Sequence, residues 1–218
     1  MATPAAVIFD NDGLLLDTES AWSRGEEELF VRRGRTFTAE HKRELVGTPA
    51  EECGRILALR LDEPGREAQL IAELDVLVYE ELRRGVRPMA GASDLVAELG
   101  ERGVPIGVVS NSPARFIRLA LDHVGLTERF GVIVSGHDVA APKPAPDAYL
   151  AACEELGVAP GRDVVVLEDS PTGVAAGTAA GLTVLGVPSL PGVTLDAADA
   201  VFGSLVEAGL RARLGLDA

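Results

Sequence analysis

Four short clusters hold the side chains with the means to act on a substrate. The first is Asp10-Asn11-Asp12-Gly13, at the head of the run FDNDGLLLDTE. Two carboxylates at i and i+2 on a loop can share one cation. They can also divide the work of nucleophile and general acid/base, once their surroundings push their pKa values apart. The competing reading is a pair of turn-forming aspartates, with Gly13 allowing the tight turn. The second cluster is Glu168-Asp169-Ser170. Adjacent carboxylates repel unless a positive charge compensates. Their oxygens suit Mg2+, which takes a few carboxylates beside waters and phosphate oxygens. Ser170 before Pro171 also reads as a helix N-cap with proline at the first helical position. The third cluster, Ser110-Asn111-Ser112-Pro113, brings hydroxyls, an amide and backbone N–H groups to the start of a helix, as an anion cradle or as a plain cap. The fourth is Lys143. Of 20 Lys+Arg, only Lys42 and Lys143 are lysines. A lysine held between Pro142 and Pro144 therefore marks a place for a compact point charge, or a stray loop residue.

The elements that must position these clusters alternate in type. Short apolar runs at Ala5–Phe9, Pro105–Val109, Val132–Val134, Asp163–Leu167 and Leu182–Val187 read as buried strands. Helical stretches fall between them, near 91–102, 114–124, 146–157 and 172–180. Alternation of this kind predicts an α/β fold with a doubly wound parallel sheet, whose ligands bind beyond the carboxyl ends of the strands. Asp10, Ser110 and Glu168 each stand at that end of a strand. Asp147 is expected to cap the helix that follows it.

Residues 18–87 differ from the rest. They hold 12 Lys+Arg and 15 Asp+Glu in 70 residues, while the other 148 residues hold 8 and 19. Dense charge of both signs reads as exposed amphipathic helices, here near 18–34, 39–46, 49–62 and 66–85. The segment looks inserted into a more apolar body.

The whole chain has 218 residues, a formal net charge of −14, 47% hydrophobic residues and 4% aromatics. The apolar share is too high for disorder. The acidic balance argues against nucleic acid or an anionic membrane surface as partner. Cys53 and Cys153 stand far apart with no metal-ligand spacing, so neither a disulfide framework nor a zinc site is expected. No signal peptide or membrane span is read, and the expected setting is the cytoplasm.

Taken together, Asp10-Asn11-Asp12-Gly13, Ser110-Asn111, Lys143 and Glu168-Asp169 resemble the haloacid dehalogenase (HAD) superfamily in order and in placement. The resemblance spans about residues 5–190. PKPAPDAYL and EDSPTGVAAGTAAGLTVLGVP resemble the subgroup of β-phosphoglucomutase and the small sugar-phosphate phosphatases. It implies a HAD-like, Rossmann-like core of residues 1–17 and 88–218, with an α-helical cap of residues 18–87 hinged near Asp17–Glu19 and Arg87–Gly91. It implies Asp10 as the nucleophile that forms an aspartyl-phosphate, and Asp12 as the acid that protonates the leaving oxygen and then activates water. Mg2+ would be held by the Asp10 carboxylate, the Asp12 carbonyl and Asp169, with Glu168 nearby. Ser110, the Asn111 amide and Lys143 would hold the phosphoryl oxygens. Asp12 sets the chain apart from the dehalogenases, which lack the second aspartate.

The implied activity is a Mg2+-dependent phosphatase acting on a small phosphorylated metabolite, a sugar or polyol phosphate, with the protein a monomer or weak homodimer. A β-phosphoglucomutase-type mutase is the alternative, and a non-catalytic HAD-fold binding protein a more distant one. The mutase carries an arginine shortly after a cap glycine. Here the glycine is Gly47, and Ala50 stands at the arginine position. Where the mutase has a histidine, this chain has Trp22, as do several of the phosphatases. Trp22 is read either as a core aromatic of the cap or as a substrate contact. Arg55, on the next helix, is a further candidate to reach substrate. His41, His123 and His137 are expected to be structural or surface residues.

Overall fold

Unbroken runs of Val, Ile and Leu bury both faces of a strand, which a parallel sheet covered by helices accommodates. In the computed structural model, which describes residues 3–46, 48–190 and 192–216, these runs form β1 (Ala6–Phe9), β2 (Ile106–Ser110), β3 (Val132–Ser135), β4 (Val164–Glu168) and β5 (Thr183–Gly186). A short β6 (Ala200–Val201) completes the sheet. The order is β3-β2-β1-β4-β5-β6, and every neighbouring pair is parallel. From β1 the chain winds outward through β2 and β3, then returns to the centre and winds the other way through β5 and β6. The reversal falls between β1 and β4, which is where a doubly wound sheet opens a crevice for ligands. Asp10 and Glu168-Asp169 stand on its two sides.

The chain divides into two compact units. One takes the chain up to Asp17 and from Arg87 onward, and the other runs Thr18–Val86. The second unit is all helix: α1 (Glu19–Val31), α2 (Ala39–Leu45), α3 (Ala50–Leu61) and α4 (Glu67–Arg83). Its interior is built from leucines at helical spacing, with Leu29, Leu57, Leu70, Leu74 and Val78 almost fully buried. Gly25 lets α1 lie close on α4, since a Cβ there would come within 2.8 Å of Val78 Cγ2. Lys42 Nζ sits 2.9 Å from Glu19 and 3.0 Å from Glu26. Arg33 reaches both Glu63 and Glu73 at 2.7 Å.

The first unit adds α5 (Ala92–Glu101), α6 (Ala114–His123), α7 (Asp147–Glu155), α8 (Pro171–Ala179) and α9 (Ala208–Arg213), and a 3-10 turn at Thr127–Arg129. Helix α7 packs on β2 and β3, and α8 on β4 and β5. Ile8, Val109, Val166, Val174 and Val184 meet in one buried cluster between sheet and helices. The chain leaves this unit and re-enters it at adjacent points: Asp17 N–H donates to Arg87 O at 2.9 Å, and Met89 N–H to Leu15 O at 2.8 Å. No helix among the described residues is long and apolar enough to cross a membrane.

Three details differ from the sequence reading. Strands β2, β3 and β4 run one residue further, because Ser110 pairs with Ser135 and Glu168 with Gly186. Asp147 is not the cap of α7. Pro146 takes that place with helical backbone angles, so Asp147 falls inside the first turn and makes no cap hydrogen bond, where its charge still complements the helix dipole. Finally, β6 and α9 were not anticipated, since a two-residue strand and a six-residue helix carry no readable period.

Ile8 is fully buried at the centre of the sheet, beside Gly107 and Val166. Ile8→Ala is expected to destabilise the protein by about 2–5 kcal/mol, read as a lower urea midpoint.

Candidate active site

The carboxyl ends of β2, β1 and β4, adjacent in the sheet, deliver Ser110, Asp10 and Glu168 to one place. Asp10 is held on the strand line by its N–H, which donates to Leu167 O at 2.9 Å. The chain then turns back tightly: Leu15 and Leu16 N–H both reach Asn11 O, and Gly13 N–H reaches Leu16 O. Gly13 carries a φ of +85°, and a Cβ there would lie 2.4 Å from Asp169 Oδ2. Only glycine permits both the turn and the approach of that second carboxylate.

Lys143 is the hub of the cluster. Its ammonium donates to Asp10 Oδ1 at 2.7 Å, to Glu168 Oε1 at 2.6 Å and to Val109 O at 2.8 Å. All three of its protons are thereby directed. Its backbone is clamped by the Asn111 amide, which donates Nδ2 to Lys143 O at 3.1 Å and accepts Lys143 N–H on Oδ1 at 3.0 Å. Burial alone would lower the Lys143 pKa. The negative charges of Asp10 and Glu168 outweigh it and hold the ammonium well above its usual range. Asp10 moves the same way for the opposite reason. Burial raises its pKa, Lys143 opposes, and the neighbouring Glu168, Asp169 and Asp12 add to the rise.

Glu168 is completely buried, and its carboxylate is saturated with donors. Oε1 accepts from Lys143 and from the Tyr149 hydroxyl at 2.6 Å. Oε2 accepts from Asp169 N–H, Ser170 N–H and Ser170 Oγ at 3.1–3.3 Å. The carboxylate lies against the first turn of α8, where exposed N–H groups favour an anion. Gly173 makes that possible, since a Cβ there would fall 1.7 Å from Glu168 Oε1. The expected cap is present too, with Ser170 Oγ accepting Gly173 N–H and Pro171 following. The Tyr149 ring lies under the ammonium, its centroid 4.9 Å from Nζ.

Asp12 is held from a different strand. Ser110 Oγ donates to its Oδ2 at 2.5 Å, and Ser112 Oγ donates to the same oxygen at 2.9 Å. Asp169 accepts from the Ser189 hydroxyl. Carboxylate oxygens of Asp10, Glu168 and Asp169 all lie within 4.8 Å of one another. Three carboxyl groups share this largely buried place with one ammonium. An oxygen-only donor set of this kind fits a hard divalent cation.

Asp10, Asp12, Ser110, Asn111, Lys143, Glu168 and Asp169 are thus brought together. The cap candidates lie in the helical unit. Trp22 is half-buried on α1, and Arg55 is exposed on α3, paired with Glu52 at 2.6 Å. Gly47 lies outside the described residues. His41 packs beside Phe30 and accepts Thr38 N–H in the capping box of α2. Cys53 and Cys153 are buried free thiols. Sequence reasoning passed over Tyr149, Gly173, Ser189 and the tie from Ser112. Of these only Tyr149 left a signal, as a hydroxyl six residues beyond the singular lysine.

A family profile described as haloacid dehalogenase-like hydrolase matches residues 7–187. The chain is 36% identical over 212 residues to (DL)-glycerol-3-phosphatase 1, mitochondrial, of Arabidopsis thaliana, covering 92% of this chain and 70% of that protein. It is 31% identical over 196 residues to hexitol phosphatase B of Escherichia coli (strain K12), covering 87% of each. It is also similar to the crystal structure of CbbY from Rhodobacter sphaeroides in complex with phosphate, with a TM-score of 0.84 and 29% identity, over 98% of this chain and 100% of that one.

Tyr149→Phe keeps the ring and removes one donor from the buried Glu168 carboxylate. It is expected to destabilise the protein by about 1–3 kcal/mol, measured by urea unfolding. Unchanged stability would show that the carboxylate is satisfied without the phenol.

Proposed function

The chain belongs to the haloacid dehalogenase-like hydrolases, and from that premise we propose that it is a Mg2+-dependent phosphatase of small sugar or polyol phosphates, working through an aspartyl-phosphate. The observation that carries the reading is the Lys143 ammonium wedged between Asp10 and Glu168, with Asp12 fixed two residues beyond Asp10. Phosphoryl transfer asks mainly for positioning and for neutralised charge, and this cluster supplies both.

In this reading the Asp10 carboxylate attacks phosphorus. A P–O bond forms to Asp10 while the bond to the substrate oxygen breaks. Asp12 gives its proton to that departing oxygen, so an alcohol leaves. Asp12, now a carboxylate, takes a proton from water as the water oxygen attacks the same phosphorus. Inorganic phosphate departs and the Asp10 carboxylate is restored. Ser110 and the Asn111 N–H hold the phosphoryl oxygens, and Lys143 joins them by turning to the phosphoryl group one of the three protons it otherwise gives to Asp10, Glu168 and Val109 O. Asp10, the Asp12 carbonyl and Asp169 would hold Mg2+, which supplies charge neutralisation to the phosphoryl group. Glu168, with its oxygens already engaged, anchors Lys143 from behind. The helical unit is the cap in this reading. Relatives named as glycerol and hexitol phosphatases support the polyol class and favour hydrolysis over the mutase alternative.

The test is phosphate release from glycerol, hexitol and hexose phosphates with Mg2+. Asp10→Asn is expected to lower turnover by about a thousandfold or more. EDTA is expected to abolish it and added Mg2+ to restore it. Turnover that survives Asp10→Asn would overturn the nucleophile. Conversion of a hexose 1-phosphate to the 6-phosphate with little free phosphate would favour the mutase instead.

A further inference from the structure

Asp12 Oδ2 receives two hydroxyl hydrogen bonds, from Ser110 at 2.5 Å and from Ser112 at 2.9 Å. A serine has one hydroxyl proton to give. Ser110 Oγ already accepts Ser112 N–H at 2.9 Å, which leaves its single proton for Asp12. The role proposed above for Ser110 needs that same proton on a phosphoryl oxygen. Ser110 cannot serve both partners at once, so its bond to Asp12 must break when phosphate arrives.

Ser112 has no such conflict. Its hydroxyl is not spent on the helix that follows, because Pro113 is the N-cap of α6 and no side chain caps that end. Its backbone is pinned on both sides. The N–H goes to Ser110 Oγ, and the carbonyl accepts Ser135 Oγ at 2.8 Å in a buried position. Ser135 Oγ is in turn fixed by His137 N–H at 3.1 Å. A donor this rigid costs little entropy to keep in place.

We propose that Ser112 is a positioning residue for Asp12, keeping that carboxyl aimed through the transfer step once Ser110 has turned to the phosphoryl group. The inference rests on the phosphatase reading, in which Asp12 is the acid.

Leaving groups of different basicity isolate the effect. The alkoxide of glycerol 3-phosphate needs a proton as it departs, whereas p-nitrophenolate leaves as a stable anion. Since kcat/KM reports steps up to aspartate phosphorylation, a misplaced acid penalises the alkyl ester selectively. Ser112→Ala is expected to lower kcat/KM for glycerol 3-phosphate about tenfold or more beyond its effect on p-nitrophenyl phosphate. The ratio of the two rates does not depend on how much of a variant is folded. Ser112→Thr, which keeps a hydroxyl, is expected to hold the ratio near the wild-type value. Equal losses on both esters, or no loss, would overturn the proposal. Asp12→Ala separates the two levels of argument. If it shows the alkyl-selective loss and Ser112→Ala does not, only the role of Ser112 falls. If Asp12→Ala leaves both esters unaffected, the acid assignment falls and the role of Ser112 with it.

Discussion

The ammonium of Lys143 is the charge around which the rest is arranged. Asp10 and Glu168 converge on it from two neighbouring strands, and neither could sit so deep without it. Breaking a buried pair by removing one partner leaves an uncompensated charge, which costs several kcal/mol. The surroundings accordingly over-determine the lysine. Asn111 clamps its backbone, Val109 O takes its third proton, and Tyr149 lies beneath it. Glu168 is then fixed by five donors, so the negative charge facing Lys143 is itself immobile. Asp169, beside Asp10 and Glu168, completes an oxygen-only set of a kind that fits a divalent cation.

Both lysines of the chain have the same kind of post. Lys42 lies between Glu19 and Glu26 in the helical unit, as Lys143 lies between Asp10 and Glu168 in the other. The exposed ion pairs are arginines, among them Arg55 with Glu52 and Arg66 with Glu63. A guanidinium can fill such a post as well, since Arg33 stands between Glu63 and Glu73 and is no more exposed than Lys42.

The strands and most helices were legible because burial on both faces leaves an apolar run and a buried helix leaves a period. The polar clusters were legible because they interrupt those runs at the ends of β1, β2 and β4. What stayed hidden was who holds whom. That Asn111 would clamp Lys143 with its side chain, or that Gly173 would leave room for Glu168, depends on residues distant in sequence or on the absence of a Cβ. The cap of α7 was misplaced for a local reason, since Pro146 took helical angles and drew the helix start back by one residue. The tail of the chain, with β6 and α9, offered elements too short to leave a pattern.

The hydrogen bond from Asp17 N–H to Arg87 O joins the points where the chain departs for the helical unit and returns from it. An insertion whose two ends are already tied together asks nothing of its host beyond that short span. Its length and internal sequence are then free to drift while β1 keeps its register with β2 and β4. Such a unit can be remodelled or exchanged as a cassette without disturbing the sheet from which it departs.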